Sequence, residues 1–154
     1  MKAIIFAITI LCLSTTVGCA QNIAQDKVPG FIQIGFKKQF PHAIKPQWEM
    51  EETDYEVNFN NEELKFSAKY NKEGDWLETE QEIKKTDLPA AVKHAINKEF
   101  PDAELKETEK ITYPNNKTVY EMEVKQDKQK FEVQYATDGQ LLKKVEMTKK
   151  EAKN

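Results

Sequence analysis

VPGFIQIGFKKQFPHA (residues 28–43) and LPAAVKHAINKEFPDA (residues 88–103) stand at a constant offset of 60 and decide the reading of the whole chain. Pro29/Pro89, Lys38/Lys98, Phe40/Phe100, Pro41/Pro101 and Ala43/Ala103 are identical. In the later stretch Leu88, Ala91, Val92, Ala95, Ile96 and Phe100 recur at helical spacing, with Lys93, Asn97 and Lys98 on the other side. Val28, Phe31, Ile32, Phe36 and Phe40 make the matching stripe in the earlier one. Pro89 suits a first helical turn, where its missing N–H leaves nothing unsatisfied. Pro41 and Pro101 close each helix, because the residue before a proline is forced out of the helical region.

Beyond each helix the apolar period falls from 3.6 to 2. Tyr55, Val57 and Phe59 alternate with Glu56 and Asn58, and Phe66, Ala68 and Tyr70 alternate with Lys65, Ser67 and Lys69. Tyr120, Met122 and Val124 against Glu121 and Glu123 repeat the first run. Phe131, Val133 and Tyr135 against Lys130, Glu132 and Gln134 repeat the second. Tyr55-Glu56/Tyr120-Glu121, Phe66/Phe131, Tyr70/Tyr135 and Gly74/Gly139 share an offset of 65, so the later copy holds five extra residues, placed around Lys110 to Lys117. Turns are expected at Asn60-Asn61, Asn71 to Gly74, Pro114 to Asn116 and Thr137 to Gly139. Further strands run through Trp48, Trp76, Ile111 and Leu141 to Met147, and the two Trp and five Tyr take inward strand positions. The expected class is α+β: a tandem duplication of a helix plus four-stranded antiparallel unit, with two helices on one face of an eight-stranded sheet. The divisions are a linker at 21–27, one repeat at 28–85, a second at 86–147 and a frayed tail at 148–154.

Residues 1–20 have the pattern of an export signal: Lys2, an apolar run from Ala3 to Leu13 that is too short to span a bilayer, then small and polar residues. Two cleavages compete. Gly18-Cys19-Ala20 fits the small-x-small rule and would leave Gln21 first. Val17-Gly18-Cys19 resembles a lipobox and would leave a lipidated Cys19 first, so the expected location is periplasmic or secreted, or membrane-anchored through Cys19. Cys12 lies within the apolar run, so the mature chain has no cysteine pair for an internal disulfide.

Of 154 residues, 32% are charged, and the formal net charge is −3. All 23 basic residues are Lys, so the forked guanidinium that suits phosphates and base edges is missing and nucleic acid is not an expected partner. Ser67, between Lys65 and Lys69, has only His42 and His94 to serve as a base, and neither His belongs to a metal motif. His42 stands where the other copy has Asp102, which marks a solvent position. Asn71, Glu73 and Asp75 read as a hairpin turn in preference to a calcium loop. Catalytic, cofactor and metal residues are therefore expected to be none.

Val28-Pro29 to Ala43 and Leu88-Pro89 to Ala103, each followed by a Tyr strand and a strand ending in Tyr-x-x-x-Gly, resemble the PepSY-like family of exported bacterial proteins, also described as beta-lactamase-inhibitor-like. The resemblance covers residues 28–147. It implies a two-layer tandem helix-plus-strands fold and binding or inhibition of other proteins. The inhibitors sharing that architecture carry a disulfide in each repeat, which this chain lacks. The expected function is a non-catalytic, exported binding module of the cell envelope that inhibits or modulates another protein. A small-ligand-binding envelope protein and a carboxylate-based hydrolase are the alternatives. The helices leave one sheet face uncovered, which makes Glu56, Asn58, Lys65, Ser67, Lys69, Glu121, Glu123, Lys130, Glu132 and Gln134 the candidate binding residues, their mixed charge suited to steering and specificity.

Overall fold

A computed structural model of the protein describes residues 21–147. The chain runs β1 (Gln21–Ile23), α1 (Gly30–Gln39), β2 (Ile44–Glu51), β3 (Asp54–Asn61), β4 (Leu64–Tyr70), β5 (Trp76–Glu82), α2 (Ala90–Glu99), β6 (Glu104–Thr112), β7 (Thr118–Gln126), β8 (Gln129–Ala136) and β9 (Leu141–Glu146). The strands form one antiparallel sheet in sequence order. It has nine strands where the periodicity suggested eight. The addition is β1, drawn from residues read as a linker, which pairs Ile23 with Trp48. Three residues are too few to display a period of 2.

Each helix is anchored at both ends by the same chemistry. Pro29 and Pro89 occupy the N-cap positions, and the Phe40 and Phe100 amides close the last turns on the Phe36 and Ile96 carbonyls. Val28, Ile32 and Phe36 bury against Trp48, Val57, Phe59, Ala68 and Tyr70. Leu88, Val92, Ile96 and Phe100 bury against Tyr120, Met122, Val124, Val133 and Tyr135. Side chains of this size each contribute roughly 1.5–3 kcal/mol when fully buried, so the two clusters supply most of the driving force. Phe31 departs from its expected stripe: it is 56% exposed and its ring lies over the Gly74 turn.

Both helices cover the same face. Val57 pairs with Ala68, Ala68 with Thr79, Thr79 with Thr112 and Thr112 with Thr118. Directly paired residues of antiparallel strands point to one side, so this row carries the α1 face across to Tyr120 and Met122 beneath α2. The β5–β6 ladder pairs four residues, Thr79 to Glu82 with Glu109 to Thr112, against seven or eight in β3–β4 and β7–β8.

Trp48 and Thr108 occupy corresponding places, since Met50 and Lys110, two residues further on, pair with Tyr55 and Tyr120. Trp48 packs its indole between Phe36 and Tyr70, whereas Thr108 is buried with its Oγ1 unpartnered. The five extra residues lie where expected: the β2–β3 turn has two residues between Glu51 and Asp54, and the chain between Ile111 and Val119 has seven. Two turn readings need correction. Asn60 and Asn61 remain in β3, paired with Lys65 and Leu64, and the turn falls at Glu62, which takes a φ of 57°. Tyr113 is not an inward strand residue but belongs to the β6–β7 turn.

Candidate functional site

The helix-free face is built from three rows of cross-strand neighbours. Glu56, Lys69 and Glu78 form one, and Asn58, Ser67, Glu80, Ile111, Val119 and Ala136 a second. The third runs Glu82, Glu109, Glu121, Gln134 and Lys143. All ten candidate residues lie on this face, with Glu123 opposite Glu132 and Lys125 opposite Lys130 further along β7 and β8. A groove of about 720 Å³ opens where β5 leaves β6, at the junction of the two halves. Glu56, Asn58, Lys65, Ser67, Glu121, Glu123 and Glu132 line it, while Lys69, Lys130 and Gln134 stand outside its wall.

Four acids that the periodicity did not single out join the face near its centre: Glu78, Glu80 and Glu82 on β5, and Glu109 on β6. Thr79 and Gln81 take the helix-side positions of β5, so no apolar alternation announces its inward phase. In β6 the register shifts between Lys106 and Glu109, and Glu107 adopts a φ of 43°. That bulge sets Leu105, paired with Val124, on the helix side but Ile111, paired with Val119, on the groove side.

Charge is distributed unevenly across the face. Four lysines at its margins are engaged, Lys65 with Glu82 at 3.3 Å, Lys69 with Glu51 at 2.9 Å and Glu78 at 3.7 Å, Lys130 with Glu123 at 2.9 Å, and Lys143 with Glu132, while Lys84 and Lys85 also line the groove. Burial pulls Lys69 down, but the Glu51 and Glu78 carboxylates hold it above its ordinary value. At the centre, Glu80 accepts a hydrogen bond from the Ser67 hydroxyl at 3.3 Å, and Glu121 accepts one from the Gln134 amide at 2.6 Å. Among the described residues no lysine lies within ion-pair distance of Glu80, Glu109 or Glu121.

Burial, then repulsion from Glu109 and Glu78, pushes Glu80 up to about 7. Burial also raises Glu109, with Glu121 next, and it raises Glu121 itself against the opposing Gln134 hydrogen bond. Glu56 is raised by burial, with Lys69 opposing. Burial, followed by the Glu78, Glu121 and Glu80 carboxylates, raises Tyr113 in the inserted turn. Its ring holds the Lys117 Nζ at 5.9 Å from the centroid.

His42 and His94 are exposed, and among the described residues no three His, Cys, Asp or Glu side chains are arranged to hold a metal. Asn71 Oδ1 accepts the Asp75 amide at 2.8 Å inside the β4–β5 turn, so that polar cluster is occupied with closing a hairpin. Cys19, residues 1–20 read as an export signal, and the tail from 148 lie outside the described residues.

A family model described as "Putative beta-lactamase-inhibitor-like, PepSY-like" matches the chain twice, over residues 16–71 and 67–143. Three crystal structures share the fold. A BLIP-like protein of Bacteroides fragilis has 24% identity and a TM-score of 0.71, the match covering 78% of this chain and 86% of that one. A DUF2874 family protein of Bacteroides uniformis has 17% identity and a TM-score of 0.73, covering 77% and 88%. A protein of Bacteroides eggerthii described as "putative periplasmic" has 20% identity and a TM-score of 0.75, covering 79% and 90%. No curated protein matches the chain.

Proposed function

The chain belongs to the PepSY-like, beta-lactamase-inhibitor-like family, and from that membership we propose that it is a non-catalytic binding module that inhibits or modulates another protein through the helix-free sheet face. The observation that carries this reading is the face itself. Both helices pack on the opposite side, and the rows of Glu, Lys, Asn and Gln leave a groove of about 720 Å³ across the junction of the halves. Interfaces with mixed charge use it to steer and select partners. The export pattern of residues 1–20, together with the periplasmic description of one structural relative, supports an envelope location, soluble or anchored through Cys19.

Capture of envelope proteins on the purified protein, identified by mass spectrometry, tests this against a K65E/E132K variant. Both substitutions lie at the groove, and a thermal unfolding curve verifies that the variant folds. A protein enriched on the wild type and lost on the folded variant supports the reading. Equal retention on both would move the binding surface elsewhere.

Glu80 favours a second reading, a carboxylate-based hydrolase, because a carboxyl held near 7 beside other carboxylates has the protonation behaviour of a general acid. Under that reading E80Q abolishes turnover and leaves partner capture unchanged. The binding reading expects E80Q to alter affinity alone.

A further inference from the structure

We propose that two copies of this chain associate by pairing their β9 strands antiparallel about a twofold axis, so that the sheet runs on from one copy into the other. β9 is the last strand of the sheet, and among the described residues nothing pairs with its outer edge. The hydrogen bond from the Met147 amide to the Lys130 carbonyl fixes which groups that edge offers. Along an antiparallel ladder, residues alternate between exchanging hydrogen bonds with the neighbour and turning their amides and carbonyls away from it. Counting back from Met147, Val145 and Lys143 direct theirs at β8, opposite Glu132 and Gln134. Lys144 and Glu146, opposite Val133 and Phe131, therefore turn theirs outward. All six residues of β9 are exposed, and three of them are the large hydrophobics Leu141, Leu142 and Val145. An apolar edge with open backbone groups is a template for another strand.

Charge and hydrogen-bond phase together select a second β9 as the occupant, and they select one register. Centring the twofold axis on Val145 sets Lys144 opposite Glu146 of the second copy, and Glu146 opposite its Lys144. Both residues turn their backbone groups outward, so each pair exchanges two hydrogen bonds while its charges attract. Val145 meets its own counterpart in the closer, non-hydrogen-bonded pairing, apolar against apolar. Centring the axis on Lys144 would instead bring two lysines face to face. Lysines on an edge strand ordinarily repel a newcomer, but here they fold back over their own sheet. Lys143 is bound to Glu132, and Lys144 bonds Glu99 at 2.9 Å with its Nζ 4.4 Å from the centre of the Phe100 ring. An ammonium has three donors, enough for Glu99 and the second copy's Glu146 to share it. Glu146 accepts one hydrogen bond, from Gln129, and among the described residues pairs with no lysine. β1, at the opposite edge, has three residues, and β9 against β1 would repeat without closing, whereas β9 against β9 closes as a dimer. An axis normal to the sheet leaves both helix-free faces on one side, so the dimer presents two grooves side by side.

The test is sedimentation velocity of the purified protein from about 10 μM to about 1 mM, the range in which a small interface dissociates. Monomer and dimer in equilibrium are the expected result. E146P removes an outward N–H that no bond to β8 uses, a place where an edge strand tolerates proline. It is expected to stay monomeric throughout, with a thermal unfolding curve verifying that it folds. K144E and E146K each set like charges opposite one another and should weaken dimerisation about tenfold. Mixed in equal amounts, the two variants should recover the wild-type association, because every pair across the mixed interface then joins opposite charges. That mixing experiment decides the matter should E146P not fold. A wild-type monomer over the whole range, a dimer indifferent to a folded E146P, or a mixture that associates no better than its components would overturn the proposal.

Discussion

Glu109 and Glu121 stand directly opposite each other on β6 and β7, two carboxylates in one cross-strand pair with no lysine between them. Like charges in that position are destabilising, and burial compounds the effect by raising both groups. Glu109→Gln should therefore stabilise the protein by about 0.5 kcal/mol at pH 7.5, with the gain vanishing near pH 4, where both carboxyls are protonated. Urea unfolding at the two pH values checks this, and an equal gain at both would mean that repulsion is not its source.

Glu80 sets a second pH dependence. Its folded-state value of about 7 lies above the ordinary 4.5, so the folded protein binds the proton more tightly than the unfolded chain. Its stabilising contribution is fully present below about pH 4.5 and is lost as the pH rises through about 7. With allowance for residual solvent screening, the loss amounts to about 1–2 kcal/mol. Unfolding midpoints should fall between pH 5 and pH 8, and E80Q should flatten that decline. A wild-type midpoint that climbs over this range would contradict the sign.

Tyr70 and Tyr135 are sequence counterparts with opposite expected responses. The Tyr70 hydroxyl donates to Gln39 Oε1 at 3.1 Å, while the Tyr135 hydroxyl is buried without a partner. Y70F should cost about 1 kcal/mol, and Y135F should be neutral or stabilising. Thr108→Val, which removes the other unpartnered buried hydroxyl with little change of shape, should stabilise by about 1 kcal/mol. Thermal unfolding of the three variants side by side tests the contrast, and equal losses for both tyrosines would refute it.

Gly74 and Gly139 both adopt positive φ, 90° and 88°, in corresponding turns. A Cβ at Gly139 would lie 2.7 Å from the Ala91 carbonyl oxygen, which belongs to the α2 backbone and has little freedom to yield. At Gly74 it would meet the ring of Phe31 at 2.8 Å, a half-exposed side chain able to rotate away. G139A should therefore cost more than G74A, each exceeding about 1 kcal/mol. Equal melting temperatures would show that backbone strain alone governs both positions.

The helices were legible because their apolar stripes are long and closed by Pro41 and Pro101, and β3, β4, β7 and β8 because each alternates without interruption. The ten polar positions of the uncovered face followed from that alternation, since side chains alternate strictly across an unbroken strand. Phe31 was misplaced because spacing alone cannot tell a core contact from one made over a neighbouring turn. Length hid β1, and the lack of apolar partners in Thr79 and Gln81 hid the phase of β5.

The two-layer architecture, the location of the five extra residues and the phase of the regular strands follow from the order of residues along the chain. All of these depend on local period, proline geometry and self-similarity, which are properties of neighbouring residues. That Glu80, Glu109 and Glu121 meet at the centre of one groove emerges only when the strands assemble. A bulge in β6 changes which residues share a face, and the shortened β5–β6 ladder brings acids from the two halves together. Burial and mutual repulsion, which exist only once those strands are assembled, then hold Glu80 near 7.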